Sequence, residues 1–138
     1  ERGRAGLAQN RHDFCKLLWR LWSPNWNFDD QTYLQTAASF DNPDFVPVVI
    51  HSYRHRFALA PGDPATEKTE QRLTQQPMIG VPTVALDGGA DGVAPSGGSA
   101  YHADFFTAAY ERRVIPDVGH NLPQEAPRDF AEAILSLV

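Results

Sequence analysis

The sequence predicts an α/β chain, in which parallel strands with flanking helices follow a helical segment. Three observations carry that expectation. Residues 1 to about 76 repeat apolar side chains at helical spacing and hold all three tryptophans. Beyond that point strand and helix patterns alternate, as in a layered α/β arrangement. The run Val81–Leu86 is almost unbroken in apolar, β-prone residues, which suits a strand covered on both faces in a parallel sheet. The expected organisation is a helical segment over 1–76 and an α/β segment over 77–138.

In the first segment Leu7, Phe14, Leu17, Leu18, Leu21 and Trp22 recur at helical spacing, and Ser23-Pro24 ends the run. Asp29-Asp30 offers a cap for a second helix carrying Tyr33, Leu34 and Ala37 on one side. Asn42-Pro43-Asp44 starts a third helix, through Phe45, Val49, Ile50 and Tyr53. Pro47 is tolerated in it because, with Asp44 as N-cap, the amide it lacks belongs to the first turn and has no partner there. Leu59–Thr66 reads as a loop and Glu67–Gln76 as a short polar helix.

In the second segment Val81–Leu86 is a strand with its proline near the start, where a missing donor is tolerated. Residues 97–107 read as a helix, Arg112–Ile115 as a second strand and Pro127–Val138 as a final helix. Phe130, Ala133, Ile134 and Leu137 form an apolar stripe on that last helix. The order strand–helix–strand–helix predicts parallel pairing through right-handed crossovers. Two strands do not make a stable open sheet, so this one is expected to need strands from outside the chain.

Composition narrows the function classes. Of 138 residues, 42% are apolar and 21% charged, which is the make-up of a soluble globular domain. Twelve Lys and Arg stand against 17 Asp and Glu, a net charge of −5 without any basic run, so neither nucleic acid nor an anionic membrane is an expected partner. The lone Cys15 leaves no internal disulfide and fits a reducing, cytoplasmic setting. No apolar stretch approaches the length of a membrane span. Glu1-Arg2-Gly3-Arg4 leads straight into helical sequence without an initiator methionine, which predicts a piece of a longer protein.

Reactive groups in open α/β sheets collect at the carboxyl ends of the strands. Asp91 lies just past the first strand after Gly88-Gly89, and His120 just past the second after Gly119. A carboxylate bonded to one ring nitrogen fixes the tautomer and stabilises the cation formed when the other nitrogen takes a proton. Singly, each has an ordinary structural reading: an aspartate in a glycine-rich turn, a histidine capping a loop. Together, in the order acid then histidine, they match the second and third members of a nucleophile–acid–histidine triad.

On these residues a family resemblance rests. "VPTVALDGGADGVAP" and "RRVIPDVGHNLPQEAPRDFAEAIL" resemble the last two strand–helix units of the α/β-hydrolase fold, in the branch of epoxide hydrolases and haloalkane or haloacid dehalogenases. That pattern has an apolar strand, Gly, two residues and the acid, here Gly88 to Asp91. Its histidine follows Gly, with Glu and Pro at the helix entry, here Gly119-His120, Glu125 and Pro127. The resemblance covers about residues 78–138 and implies the C-terminal part of that fold, with His120 and Asp91 as catalytic residues. The helices over 1–76 then resemble part of the cap such enzymes insert between sheet strands.

Within that cap, Tyr53-Arg54 in "VIHSYRHRF" resembles the tyrosine–arginine pair of epoxide hydrolases, which implies a catalytic phenol. A neutral phenol can donate a hydrogen bond to an epoxide oxygen and stabilise the developing alkoxide. As it stands, Tyr53 is equally well the polar-tipped member of an amphipathic stripe. His51 and His55 have helical zinc-site spacing, but no third ligand cluster accompanies them, so no metal is expected. Trp19, Trp22, Trp26 and Phe28 are of the type that lines an apolar pocket. Trp26, in the loop-like "SPNWNF", is the candidate substrate-binding residue, the others reading as ordinary packing.

The nucleophile of that family stands in a Gly-x-Ser/Asp-x-Gly turn between strand and helix. No such turn occurs here. "GGSAY" fails at its last position and follows the acid. The chain is therefore expected to be a hydrolase fragment, inactive and unstable alone, whose partner is the N-terminal half of the same hydrolase in the same or a separate chain. The resemblance implies hydrolysis of an epoxide through a covalent aspartyl ester, on a small apolar substrate, with no cofactor. A dehalogenase, a serine esterase, a C–C hydrolase and a hydrolase-like small-ligand binding protein are the alternatives. Asp in the missing turn favours the epoxide hydrolase or the dehalogenase, and Ser the esterase or C–C hydrolase. An oligomer is left open.

Overall fold

The computed structural model describes residues 1–94 and 98–138. They fall into two compact units, Glu1–Leu17 with Phe28–Gln75, and Leu18–Asn27 with Gln76–Val138. Among the described residues no helix is long and apolar enough to cross a membrane.

The first unit is helical. It takes the front of α1 (Arg2–Trp22), then α2 (Asp30–Ala37), α3 (Phe45–Arg56) and α4 (Glu67–Thr74). α1 bends at Asn10 (φ −121°, ψ 27°), whose side-chain amide donates to the Gly6 carbonyl and competes with the helical ladder. Asp29 caps α2 as its position predicts, its carboxylate accepting the Thr32 amide at 2.7 Å. Asp44 does stand at the N-cap of α3 and places Pro47 in the first turn, yet its side chain makes no capping bond. Instead Asn42 Oδ1 accepts the Asp44 amide at 2.8 Å. Tyr33, Ala37 and Val46 are buried, and the Tyr33 hydroxyl donates to the His12 carbonyl at 2.5 Å.

The second unit is a small parallel sheet with helices. β1 (Thr83–Gly88) pairs in parallel with β2 (Tyr110–Ile115), Thr83 opposite Tyr110 and Gly88 opposite Ile115. Side chains alternate across the sheet. Val84 and Leu86 share a groove with Phe130, Ala133 and Ile134 of α6 (Pro127–Leu135) and with Leu137 just beyond it. On the opposite side, Asp87 Oδ2 accepts from Arg112 Nε at 2.6 Å and from the Ser99 hydroxyl at 2.7 Å. Partial burial works against ionisation of Asp87, but those bonds prevail and hold its carboxyl below the ordinary range.

Three sequence expectations change here. The first strand runs Thr83–Gly88 rather than Val81–Leu86, because Pro82 cannot donate and the ladder opens with the Thr83 amide on the Ala109 carbonyl at 2.9 Å. It is half-buried rather than covered on both faces, each strand of a two-stranded sheet being an edge. The helix expected over 97–107 is not found among its described residues. Gly97 lies outside them, 98–101 are turns, and Ala103–Phe105 forms one 3-10 turn. Ser99 explains the difference. Its amide and hydroxyl go to Asp87, and its carbonyl takes the Tyr110 hydroxyl together with the His102 amide at 3.1 Å, a bond to the third residue that closes a turn rather than an α-helical ladder.

Candidate active site

The site is built from two loops at the carboxyl ends of β1 and β2. The Gly89 amide donates to the Ile115 carbonyl and the Ala90 amide to the Val118 carbonyl, both at 2.8 Å. Asp117 turns the second loop in the left-handed region at φ 60°, which a short polar side chain tolerates. The loops lie so close that a β-carbon on Gly88 would press into the Val118 and Gly119 carbonyls.

Across this junction His120 Nδ1 and Asp91 Oδ2 are 2.9 Å apart. Asp91 Oδ1 accepts the Val93 amide at 2.7 Å and the Ala94 amide at 3.1 Å. Burial of Asp91, 13% exposed at its side chain, raises the cost of its charge. The bonds from His120, Val93 and Ala94 more than offset it, and the carboxyl is held below its usual range. An ionised Asp91 can only accept, so in the neutral ring Nδ1 carries the proton and Nε2 the lone pair. The imidazole is 41% exposed and lines an apolar groove of about 330 Å3 with Val84, Leu86, Leu122 and Phe130. A half-exposed base of fixed tautomer beside apolar walls can take a proton from water or a hydroxyl.

The end of α1 holds both loops. The Trp22 carbonyl accepts the Gly92 amide at 2.9 Å and the His120 amide at 3.1 Å. The Trp22 and His120 rings meet in a T-shaped contact, centroids 5.4 Å apart. Next to it Ser23, 1% exposed, accepts the Asn121 amide at 3.2 Å and its side-chain amide at 3.0 Å. Glu125, on the short α5 (Leu122–Glu125), accepts the Gly119 amide at 2.8 Å and the Asn121 amide at 3.0 Å.

Gly119 leaves no room for change. A β-carbon there would lie 2.7 Å from Ser23 Cβ and 2.8 Å from its Oγ, with Cα nearer still. Gly119→Ala is therefore expected to destabilise the complete protein by about 3 kcal/mol through overpacking. A urea unfolding midpoint equal to that of the parent would show that the turn opens freely.

No family model and no curated protein matches the chain. Among solved structures it is similar to one described as a putative epoxide hydrolase from Klebsiella pneumoniae subsp. pneumoniae MGH 78578. The two are 44% identical with a TM-score of 0.93, over 99% of this chain and 45% of that one. The chain thus spans less than half the length of the protein it resembles.

Of the residues picked out by sequence, Asp91 and His120 are brought together. Tyr53 lies on α3 of the helical unit, 48% exposed, with the Arg56 guanidinium 5.4 Å above its ring. His51 and His55 have ring centroids 6.1 Å apart, and among the described residues no group of three His, Cys, Asp or Glu is placed to hold a metal ion. Trp26 stacks on Trp19 at 5.1 Å, whereas the tryptophan that touches His120 is Trp22. Helical spacing disguised Trp22 as packing. Ser23 was readable only as a helix stop, and the pairing of residue 23 with residue 121 carries no local signal.

Proposed function

We propose that the protein is the C-terminal part of an α/β-hydrolase-fold enzyme that opens epoxides, with residues 1–76 belonging to its cap. The carrying observation is the Asp91–His120 hydrogen bond at adjacent parallel strand ends. The likeness to a structure described as an epoxide hydrolase supports the substrate class. The nucleophile is an aspartate outside these residues, in the same or a separate chain. The two-stranded sheet and the open apolar groove beside it support an N-terminal half that completes the sheet. The lone cysteine supports a cytoplasmic setting.

In this reaction the outside carboxylate attacks an epoxide carbon and its C–O bond breaks. Tyr53 stabilises the developing alkoxide, gives it a proton and later regains one from solvent. The product of the step is an ester between the aspartate and the substrate. His120 Nε2, its tautomer fixed by Asp91, then takes a proton from water, and the hydroxide adds to the ester carbonyl. The acyl C–O bond breaks, the departing oxygen takes the second water proton, and the carboxylate is restored. The proton on His120 returns to solvent, so epoxide and water balance to a diol.

A single turnover of the complete protein in heavy-oxygen water tests this. The expected diol carries no heavy oxygen, because its new oxygen comes from the protein carboxylate. A fully labelled diol would show direct attack by water and overturn the ester. In the second arm, Tyr53→Phe is expected to slow ring opening about 100-fold, the loss of one donor to a developing oxyanion. Ring opening at the parent rate would assign Tyr53 to packing.

A further inference from the structure

We propose that Glu125, together with Ser23, is a positioning residue for the Asp91–His120 couple. Three consecutive amides around the imidazole are pinned from outside their own loop. Gly119 and Asn121, the residues flanking His120, donate to the two oxygens of Glu125 at 2.8 and 3.0 Å. The His120 amide donates to the Trp22 carbonyl at 3.1 Å, and the same oxygen takes the Gly92 amide beside Asp91 at 2.9 Å. Ser23 Oγ, fully buried, accepts twice from Asn121.

Backbone pins matter here because the imidazole is only partly enclosed by the groove it lines. It is 41% exposed and its one ring neighbour among the described residues is Trp22. Its direction therefore follows from the path of the chain at 119–121. A carboxylate is the group suited to that task, since two oxygens accept two amides at once and the charge strengthens both bonds. A glutamine in its place offers one oxygen and turns an N–H toward an amide N–H. The one-turn helix α5 returns Glu125 to the amides four and six residues before it.

The proposal rests on His120 acting as the base, but the hydrogen bond it concerns is visible without turnover. In the complete protein with isotope-labelled histidine, the His120 Nδ1 proton held by Asp91 is expected as a downfield NMR resonance slow to exchange with water. Glu125→Gln is expected to shift it upfield or broaden it, with far-ultraviolet dichroism unchanged, and to lower kcat for epoxide opening about tenfold with KM little altered. Glu125→Asp, which keeps both acceptors, is expected to restore part of the resonance, and Ser23→Ala to weaken it. An unchanged resonance in folded Glu125→Gln overturns the proposal, whatever happens to activity. Failure of all three variants to fold also overturns it, since the contacts would then be general support. A resonance that responds as expected in a protein without turnover sustains the positioning role and instead removes the proposed reaction.

Discussion

In the proposed reaction, replacing His120 with glutamine in the complete protein is expected to lower steady turnover of an epoxide on the order of a million-fold, the cost of removing the base from a coupled catalytic set. The first bond-forming step should survive. It needs the outside carboxylate and the donor to the epoxide oxygen, and neither is His120. Without a base to activate water, the ester accumulates, and one equivalent of substrate should appear as added mass on a peptide outside residues 1–138. Glutamine suits the test because its side-chain N–H can still donate to Asp91, so the Asp91 charge keeps a partner. His120 is also half-exposed, which limits the packing lost. Undiminished turnover would sink the reaction, and loss of turnover without an adduct would point to a nucleophile other than aspartate.

Much of this site was legible in sequence because its signals are local. An apolar run followed by Gly88-Gly89 and Asp91, then Gly119-His120, places both groups at strand ends by short-range rules. The helices α1, α2 and α3 were likewise written in spacing, caps and the Ser23-Pro24 stop. What stayed hidden depends on partners far along the chain. The expected strand stops at Leu86, whereas Asp87 and Gly88 stay in it, the Asp87 carboxylate held by Arg112, 25 residues later. Residues 98–105 have helical composition, yet Ser99 gives its hydrogen bonds to Asp87 instead. Trp22 and Ser23 reach Gly92, His120 and Asn121 across 70 to 98 residues, a contact that no periodicity encodes.

In the proposed reaction, Asp91→Asn is expected to lower turnover of the complete protein about 10,000-fold through the tautomer of His120, with substrate binding largely kept. The local geometry dictates that outcome. Oδ1 of residue 91 is held by two amide donors, from Val93 and Ala94. An asparagine would set its carbonyl oxygen there and turn its NH2 toward His120. Nδ1 must then accept, the proton moves to Nε2, and the nitrogen that should receive a proton from water already carries one. Stability should change with pH in a defined sense. The Asp91 pKa is lower in the folded protein than in an unfolded chain, where it takes its ordinary value. Its contribution is therefore fully present above that ordinary carboxylate value and is lost as pH falls through the lower folded one. The stability gap between parent and Asp91→Asn, measured by urea unfolding, should accordingly hold constant at neutral pH and shrink in acid. A gap that widened on acidification would contradict the ionised pairing, and retained turnover would show that His120 keeps its tautomer without Asp91.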